Sequence, residues 1–200
     1  LFYFSELDSG SATGQATLIQ KTQIIKGDRI EYKDIPDVDG VSYAARGNVT
    51  ITEEGRIATC GEAIYDRENS NTILRINPEI IDDNQTIAGS EIYLNYNDDL
   101  LESLFIPSNA HATHPSKGIR ERIKIVEQDT TIYQDSLEFT DDMSGSLMRG
   151  YFVDGKLDSL RLEGMATLTR VQEKLQRGEI PETELLEGIM LIIGGALLLT

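Results

Sequence analysis

A short strand pattern that recurs along the chain constrains the fold more than any other feature. Residues 27–32 (Gly-Asp-Arg-Ile-Glu-Tyr) alternate polar and apolar side chains, as half-buried strands do. Residues 46–51 repeat the alternation behind a Gly-Asn turn signal, and weaker copies follow at 61–65, 76–80, 89–94 and 134–139. Their unequal spacing predicts stacked antiparallel strand pairs rather than a strict solenoid.

Turn signals divide residues 20–166 into short alternating runs, the pattern of an all-β sandwich or open barrel. Residues 1–19 are predicted to be a flexible lead-in, because residues 5–15 are rich in Ser, Gly and Thr. Residues 98–118 contain Pro107 and Pro115 and are predicted to be mostly a long loop. The fold class predicted is therefore mainly β, with a β domain over 20–166.

Alternation also predicts which side chains share a face, because successive residues of a strand point to opposite sides of the sheet. Ten apolar residues are predicted to line one interior: Ile30, Tyr32, Val49, Ile51, Ile92, Leu94, Leu137, Phe139, Leu160 and Leu162. If the two halves of the sheet close fully, this interior is an ordinary packed core. If they stay apart, it is an apolar groove able to hold an acyl chain.

The composition changes after Gly164. Residues 167–178 place Leu168, Val171 and Leu175 at helical spacing and are predicted to form an amphipathic helix. A second helix is predicted to open at Pro181. Residues 188–200 are apolar except for the last, but this run of thirteen residues is shorter than the roughly 20 that a bilayer-spanning helix needs. The prediction for 167–200 is a short helical tail that ends in a truncated apolar segment.

Charge and cysteine content exclude several classes of function. The net charge of −16 argues against nucleic acid, which requires clustered Lys and Arg. It also argues against docking on anionic lipid by charge alone, so a bound lipid would be held by its acyl chains. The single cysteine, Cys60, excludes an internal disulfide and a multi-cysteine metal site, and is predicted to be a buried, inert thiol.

No catalytic or metal-binding motif is recognisable. His111 and His114 lie three residues apart, and without a third ligand they are interpreted as solvated histidines rather than a zinc site. Adjacent carboxylates such as Asp82 and Asp83 point apart on a strand and do not form a dyad. Nucleophile elbow, phosphate loop and dinucleotide fingerprint are all missing from the sequence. The chain is therefore predicted not to be an enzyme and to need no cofactor.

Three motifs follow one another at residues 27–32, 45–49 and 63–66. In these motifs and their order, the chain resembles the OstA-like family, whose domain forms the lipopolysaccharide-transport bridge. The resemblance covers about residues 20–166. It implies an open, V-shaped β-jelly roll of stacked antiparallel strands, whose apolar interior shields acyl chains and whose edge strands pair with neighbouring modules of the same kind. It also implies a location in the periplasm or cell envelope.

The tail resembles a different family. Residues 167–172, 177–181 and 184–188, with the apolar end, are similar to the FxsA family of small cytoplasmic-membrane proteins. This resemblance implies membrane contact through residues 188–200. The OstA-like and FxsA-like segments would join near residues 164–167. A natural fusion, a designed chimera and an assembly join all remain open as its origin.

Together these observations predict a non-enzymatic lipid-binding module of lipopolysaccharide transport and outer-membrane assembly. Its partners would be lipopolysaccharide or a similar amphiphile and other OstA-like modules. The alternative is a structural or adaptor β-domain that an FxsA-like tail tethers to a membrane.

Overall fold

A computed structural model describes residues 9–34, 40–53, 55–82, 85–126, 129–154, 156–176, 192–194 and 198–199. This part of the chain is mainly β, contains no helix, and forms one open sheet in which all pairings are antiparallel. The strands are β1 Ser9–Gln20, β2 Gln23–Asp34, β3 Val41–Glu53, β4 Arg56–Asp66, β5 Asn71–Arg75, β6 Glu79–Asp82, β7 Gln85–Ala88, β8 Glu91–Asn97, β9 Leu100–Ile106, β10 Ala110–Val126, β11 Asp129–Gly145, β12 Leu147–Val153, β13 Lys156–Glu163, β14 Thr167–Gln176, β15 Ile192–Gly194 and β16 Leu198–Leu199.

The chain runs back and forth in long passes, most of which consist of two consecutive strands with a bend between them. β5 and β6 form one such pass, because β5 pairs with residues 62–66 of β4 and β6 pairs with residues 57–59 of the same strand. The pass of β7 and β8 pairs in turn with β6 and β5. The same arrangement continues through β9 and β10, β11 and β12, and β13 and β14.

The bends divide the sheet into two walls that face each other across one core. Wall A consists of β5, β8, β9, β12 and β13 with residues 29–34, 41–46 and 62–66. Wall B consists of β6, β7, β10, β11 and β14 with residues 23–26, 49–53 and 56–60. Leu74 of wall A and Ile80 of wall B both lie in the core, although they come from the same bent pass.

The bends form a row, here called the corner line, in which the backbone is left-handed at several places. Gly47 and Asn48 have φ of 72° and 47°, and Ile76 and Asn77 have φ of 65° and 53°. Glycine and asparagine adopt this conformation readily, whereas a β-branched residue such as Ile76 does so under strain. The close fit at Gly61, where a Cβ atom would lie 2.7 Å from the Cβ of Ile76, explains why glycine is present there.

Backbone hydrogen bonds join neighbouring passes at the corner line. The Gly61 amide donates to the Ile76 carbonyl at 2.9 Å, and the Ser146 amide donates to the Gly164 carbonyl at 2.8 Å. A third such bond, of 3.1 Å, joins Ser90 and Ser108. The two walls are therefore connected along one side by the chain of each bent pass, and these hydrogen bonds hold the bends of neighbouring passes together.

Two segments predicted to be irregular are strands in the structure. Residues 9–19 of the predicted lead-in belong to β1, which pairs with β2 along nearly its whole length. The predicted loop over 98–118 is wrong as well, because β9 and β10 occupy most of it. Pro115 is compatible with β10 because the described part of β7 pairs only with residues 111–113, which leaves an open edge beyond them, and sheet prolines are found at edges.

The predicted helix over 167–178 is also wrong. Thr167–Gln176 is β14, which pairs with residues 136–144 of β11 and so extends wall B. Helical spacing of three leucine and valine residues is a local signal, and pairing with a long neighbouring strand outweighs it. The helix predicted from Pro181 lies outside the described residues, as do parts of the apolar run, from which β15 and β16 pair with β14 and β13. Within the described residues, no helix is long and apolar enough to cross a membrane.

Candidate functional site

The inward side chains of both walls form one continuous apolar interior. Alternate residues along each strand point into it, which follows from the two-residue period of a β-strand. Its fully enclosed side chains include Ile25, Val49, Leu74, Ile92, Ile106, Met148 and Leu162. Because these residues come from seven different passes, the interior runs through the stack and is not confined to one hairpin.

The structure brings together eight of the ten residues that the sequence placed on one face. Six are buried in the shared core: Ile30, Val49, Ile92, Leu94, Leu160 and Leu162. Tyr32 and Ile51 are half-buried and pack against that core. Leu137 and Phe139 lie on the same side of β11 as the buried Met143, but they are only half-buried and fall outside the core cluster.

An ion pair between the buried Asp141 and the half-exposed Arg170 lies between Met143 and the two residues Leu137 and Phe139 along β11. Arg170 on β14 donates to both carboxylate oxygens of Asp141 on β11, at 2.5 and 2.9 Å. This hydrogen bonding lowers the pKa of Asp141 and outweighs the opposing effect of burial. The cluster of buried apolar side chains therefore includes Met143 but not Leu137 and Phe139, which lie beyond the charged Asp141 on β11.

Sequence reasoning missed several residues that line the interior. Tyr43, Leu74 and Leu104 are all buried there, whereas Ile51 is half-buried. The alternation within residues 41–45, 71–75 and 100–106 is the signal that could have identified them.

The interior is nearly closed. It contains a cavity of about 50 Å³, lined on wall A by residues such as Tyr43, Leu74 and Leu94 and on wall B by residues such as Ile51 and Ile80. Pockets that hold small ligands measure roughly 300–1,000 Å³, and a single buried water needs about 10–15 Å³. The cavity has room for a few waters at most, so an acyl chain could enter only if the walls moved apart.

A larger, polar opening of about 660 Å³ adjoins this cavity on the side opposite the corner line; we call it the mouth. Polar side chains of wall B dominate one of its sides. Gln23 donates to Glu53 at 3.1 Å, and Arg56 donates to Asp82 at 2.9 and 3.1 Å. The mouth therefore presents hydrogen-bonding groups directly above the apolar interior.

Three tyrosines connect the mouth with the interior. The ring centres of Tyr43 and Tyr65 are 5.4 Å apart, and those of Tyr65 and Tyr96 are 6.4 Å apart in an edge-to-face arrangement. Burial raises the pKa of Tyr43 well above its usual value and the pKa of Tyr96 to about 12. Both phenols therefore stay neutral at physiological pH.

The outer face of wall A carries a row of alternating charges across five strands. The ion pairs Arg29–Glu31, Arg46–Glu31, Arg46–Glu62 and Arg75–Glu91 have N–O distances of 2.6, 2.7, 2.8 and 3.0 Å. Hydrogen bonds from Arg46 lower the pKa of Glu31. Pairs at this exposure contribute little to stability, and they keep the outer face polar while the inner face is apolar.

The two histidines do not converge on one site, and the cysteine is buried. His111 and His114 are three residues apart on β10, so their side chains point to opposite faces, and the His111 Nε2 lies 3.0 Å from an Asp142 oxygen. In the described part of the chain, no three His, Cys, Asp or Glu side chains are placed to hold a metal ion. Cys60 is buried, and burial raises the pKa of its thiol to about 11.

The fold and the site together define a class: an antiparallel β protein whose two walls enclose an apolar interior beneath a polar mouth. Comparison with known families matches residues 157–200 to the FxsA family, described as a cytoplasmic membrane protein. This segment includes β14 and nearly all of β13, which are integral to the two walls. No curated protein and no solved structure matches the chain. The family match does not reach residues 20–156, so the OstA-like resemblance stays a prediction.

Proposed function

We propose that the protein is a non-enzymatic lipid-binding module that shields the acyl chains of lipopolysaccharide, or of a similar amphiphile, during transport in the cell envelope. The observation that carries this proposal is the single apolar interior between the two walls, which opens at a polar mouth. An amphiphile has the matching chemistry, because its chain would lie in the interior while its headgroup stays at the mouth. On this proposal the two walls correspond to the halves of an OstA-like open jelly roll.

Burial of the acyl chain would supply the free energy for binding. Each methylene transferred from water contributes about 0.8 kcal/mol, so a chain of about ten methylenes contributes about 8 kcal/mol before the cost of separating the walls. The net charge of −16 gives no electrostatic attraction for an anionic headgroup. Affinity should therefore depend on chain length far more than on headgroup charge.

The edge of the sheet would provide the contact with like modules. Within the described residues, β1 pairs with β2 along one side, and its other side carries free backbone groups. A neighbouring edge strand could add to β1 by main-chain hydrogen bonds. The FxsA match supports membrane association through residues 188–200, and the OstA-like resemblance supports a periplasmic location for the β domain.

A matched pair of tryptophan substitutions tests lipid binding. Ile51 lines the cavity, whereas Ile57 on the adjacent strand points outward and is 39% exposed. The chain has no native tryptophan, so each variant also carries one fluorescent reporter. A fluorescent dodecanoate should bind to the wild type and to Ile57→Trp, whereas Ile51→Trp should weaken binding at least tenfold because the indole fills the cavity.

Competition by purified lipopolysaccharide, but not by its delipidated sugar, would support the proposed cargo. Equal binding by the two tryptophan variants would show that the probe does not use the interior.

The second candidate is a structural or adaptor β-domain that its tail tethers to a membrane. The small size of the cavity, about 50 Å³, favours it, because a packed core needs no room for cargo. The wild type would then bind neither dodecanoate nor lipopolysaccharide, and Ile51→Trp would only change stability.

A further inference from the structure

Side-chain contacts join the rims of the walls at the mouth. Lys21, in the turn between β1 and β2 on wall B, places its Nζ 2.6 Å from an Asp99 oxygen in the turn between β8 and β9 on wall A. Arg67, also on wall A, pairs with the other carboxylate oxygen of Asp99. Beside them, the Gln20 side chain accepts a hydrogen bond of 3.3 Å from the Val41 amide. We call Lys21, Asp99 and Arg67 the clasp.

The clasp lies at the start of a continuous path to the interior. Lys21 and Asp99 line the mouth. Glu53, Tyr96 and Leu101 line both the mouth and the small apolar cavity, so the two spaces adjoin. A chain that passed between the rims would therefore reach the apolar side chains directly.

The two sides of the interior are joined by different kinds of contact. Along the corner line, each bent pass runs directly from one wall into the other, and backbone hydrogen bonds such as that of Gly61 with Ile76 join neighbouring passes. At the rims, the clasp and Gln20 connect them through side chains. Separating the rims leaves the backbone ladder intact, whereas separating the corners would break it. The walls should therefore part at the mouth, with the corner line as the hinge.

The exposure of the clasp suits it to reversible opening. The side chains of Lys21 and Asp99 are 43% and 46% exposed. Ion pairs at such exposure contribute little, and salt screens them. Hydrogen bonding from Lys21, and to a lesser extent from Arg67, lowers the pKa of Asp99, so the carboxylate stays charged near neutral pH.

We propose that the clasp gates sideways entry of an acyl chain, which passes between the two rims through the mouth and not through the ends of the strand stack. The inference rests on the proposed lipid-binding function and adds the route and its control to it. What enters between the rims is an acyl chain of the amphiphile, because the cavity behind the mouth is narrow and apolar.

Uptake kinetics test the gate directly. Fluorescent dodecanoate is mixed in a stopped-flow instrument with wild type, Lys21→Glu and the conservative variant Lys21→Arg. Lys21→Glu should take up the probe about two to five times faster, the range that loss of an exposed pair supplies, whereas Lys21→Arg keeps a cation opposite Asp99 and should keep the wild-type rate. Sodium chloride should accelerate the wild type but not Lys21→Glu. As a control, Arg29→Ala removes an ion pair of equal length, 2.6 Å, on the outer face, and should leave the rate unchanged.

A covalent bridge provides the converse test. Lys21→Cys/Asp99→Cys is joined by a short, flexible bis-maleimide, and the bridged protein should take up the probe at least tenfold more slowly. If the bridged protein takes up the probe at the wild-type rate, the proposed gate is refuted. Normal probe binding by the wild type would in that case still support lipid binding.

A readout without lipid separates the two proposals. Cys60 lies in the core on the inward side of β4, so its alkylation by N-ethylmaleimide reports opening of the interior. Lys21→Glu should accelerate this alkylation at an unchanged urea midpoint, whereas Arg29→Ala should not. Faster alkylation in a protein that binds no probe would support the gate and refute lipid binding. Unchanged alkylation and unchanged uptake would refute the gate.

Discussion

Replacing Arg170 by methionine tests whether β14 belongs to the sheet. Arg170→Met keeps an unbranched side chain of similar reach but removes the guanidinium that binds both oxygens of Asp141. The Asp141 side chain is 9% exposed and would be left without its cation, whereas Arg170 itself is 50% exposed. Removing one partner of a fully buried pair costs about 3–5 kcal/mol. The exposure of Arg170 reduces this, so we expect a loss of about 2–3 kcal/mol.

Thermal and urea unfolding measure the effect. A chain of this size loses roughly 2–4 °C in melting temperature per kcal/mol, so Arg170→Met should melt about 5–10 °C below wild type. Arg161→Met is the matched control, because its 3.0 Å pair with Glu163 is more exposed and should change the melting temperature by no more than about 2 °C.

The stability difference between wild type and Arg170→Met should depend on pH in a defined direction. The pKa of Asp141 is lowered in the folded protein, so the pair stabilises the fold above the unfolded-state pKa of about 3.9. This contribution is lost as the pH falls through the folded-state pKa. The difference between wild type and Arg170→Met should therefore shrink below about pH 4. A variant that melts like wild type at pH 7 would refute the pairing of β14 with β11 and favour the helix expected from the sequence.

Other predictions concern the corner line and the buried thiol. Gly61→Ala should destabilise the fold by about 1–3 kcal/mol, because its Cβ would lie 2.7 Å from the Cβ of Ile76. Combining it with Ile76→Gly should remove most of that loss. Additive effects of the two substitutions on the free energy of urea unfolding would contradict the contact. Gly89→Ala should destabilise the fold by a similar free energy and lower the urea midpoint, because the new Cβ would overlap the fully buried Ile106. An unchanged midpoint would show that the backbone at this corner has room for a Cβ atom. Cys60 should react with iodoacetamide at pH 8 far more slowly in the native protein than in urea, because it is buried with a thiol pKa of about 11; equal rates would place it at the surface.

The arrangement of side chains on the strands was predictable because it depends on a local rule. A strand has a period of two residues, so the apolar positions around Ile30, Val49 and Ile92 had to share a side once those segments were extended. The same rule could have located Leu74 and Leu104. It could not show that Asp141 pairs with Arg170, because the two residues are 29 positions apart.

The tail shows where local signals fail. Leu168, Val171 and Leu175 match a helical period, whereas the β-branched Thr167 and Thr169 favour a strand only weakly. β11 supplies the missing information, because it is long enough to leave residues 136–144 available to pair with β14. Pro115 was misread for a related reason, since only the position of the open edge of β10 makes a proline acceptable there.

The amino-acid sequence by itself determined that the chain forms short antiparallel strands, that most of the predicted apolar residues point to one side, and that the surface is acidic. These properties depend on residues close together in the chain. The tertiary structure alone decided that the sheet bends along one row of corners, that its two walls meet over a small cavity, and that Lys21 reaches Asp99 across the mouth. They depend on contacts between residues far apart in the chain, 78 positions in the case of Lys21 and Asp99, which only the stacking of successive passes brings together.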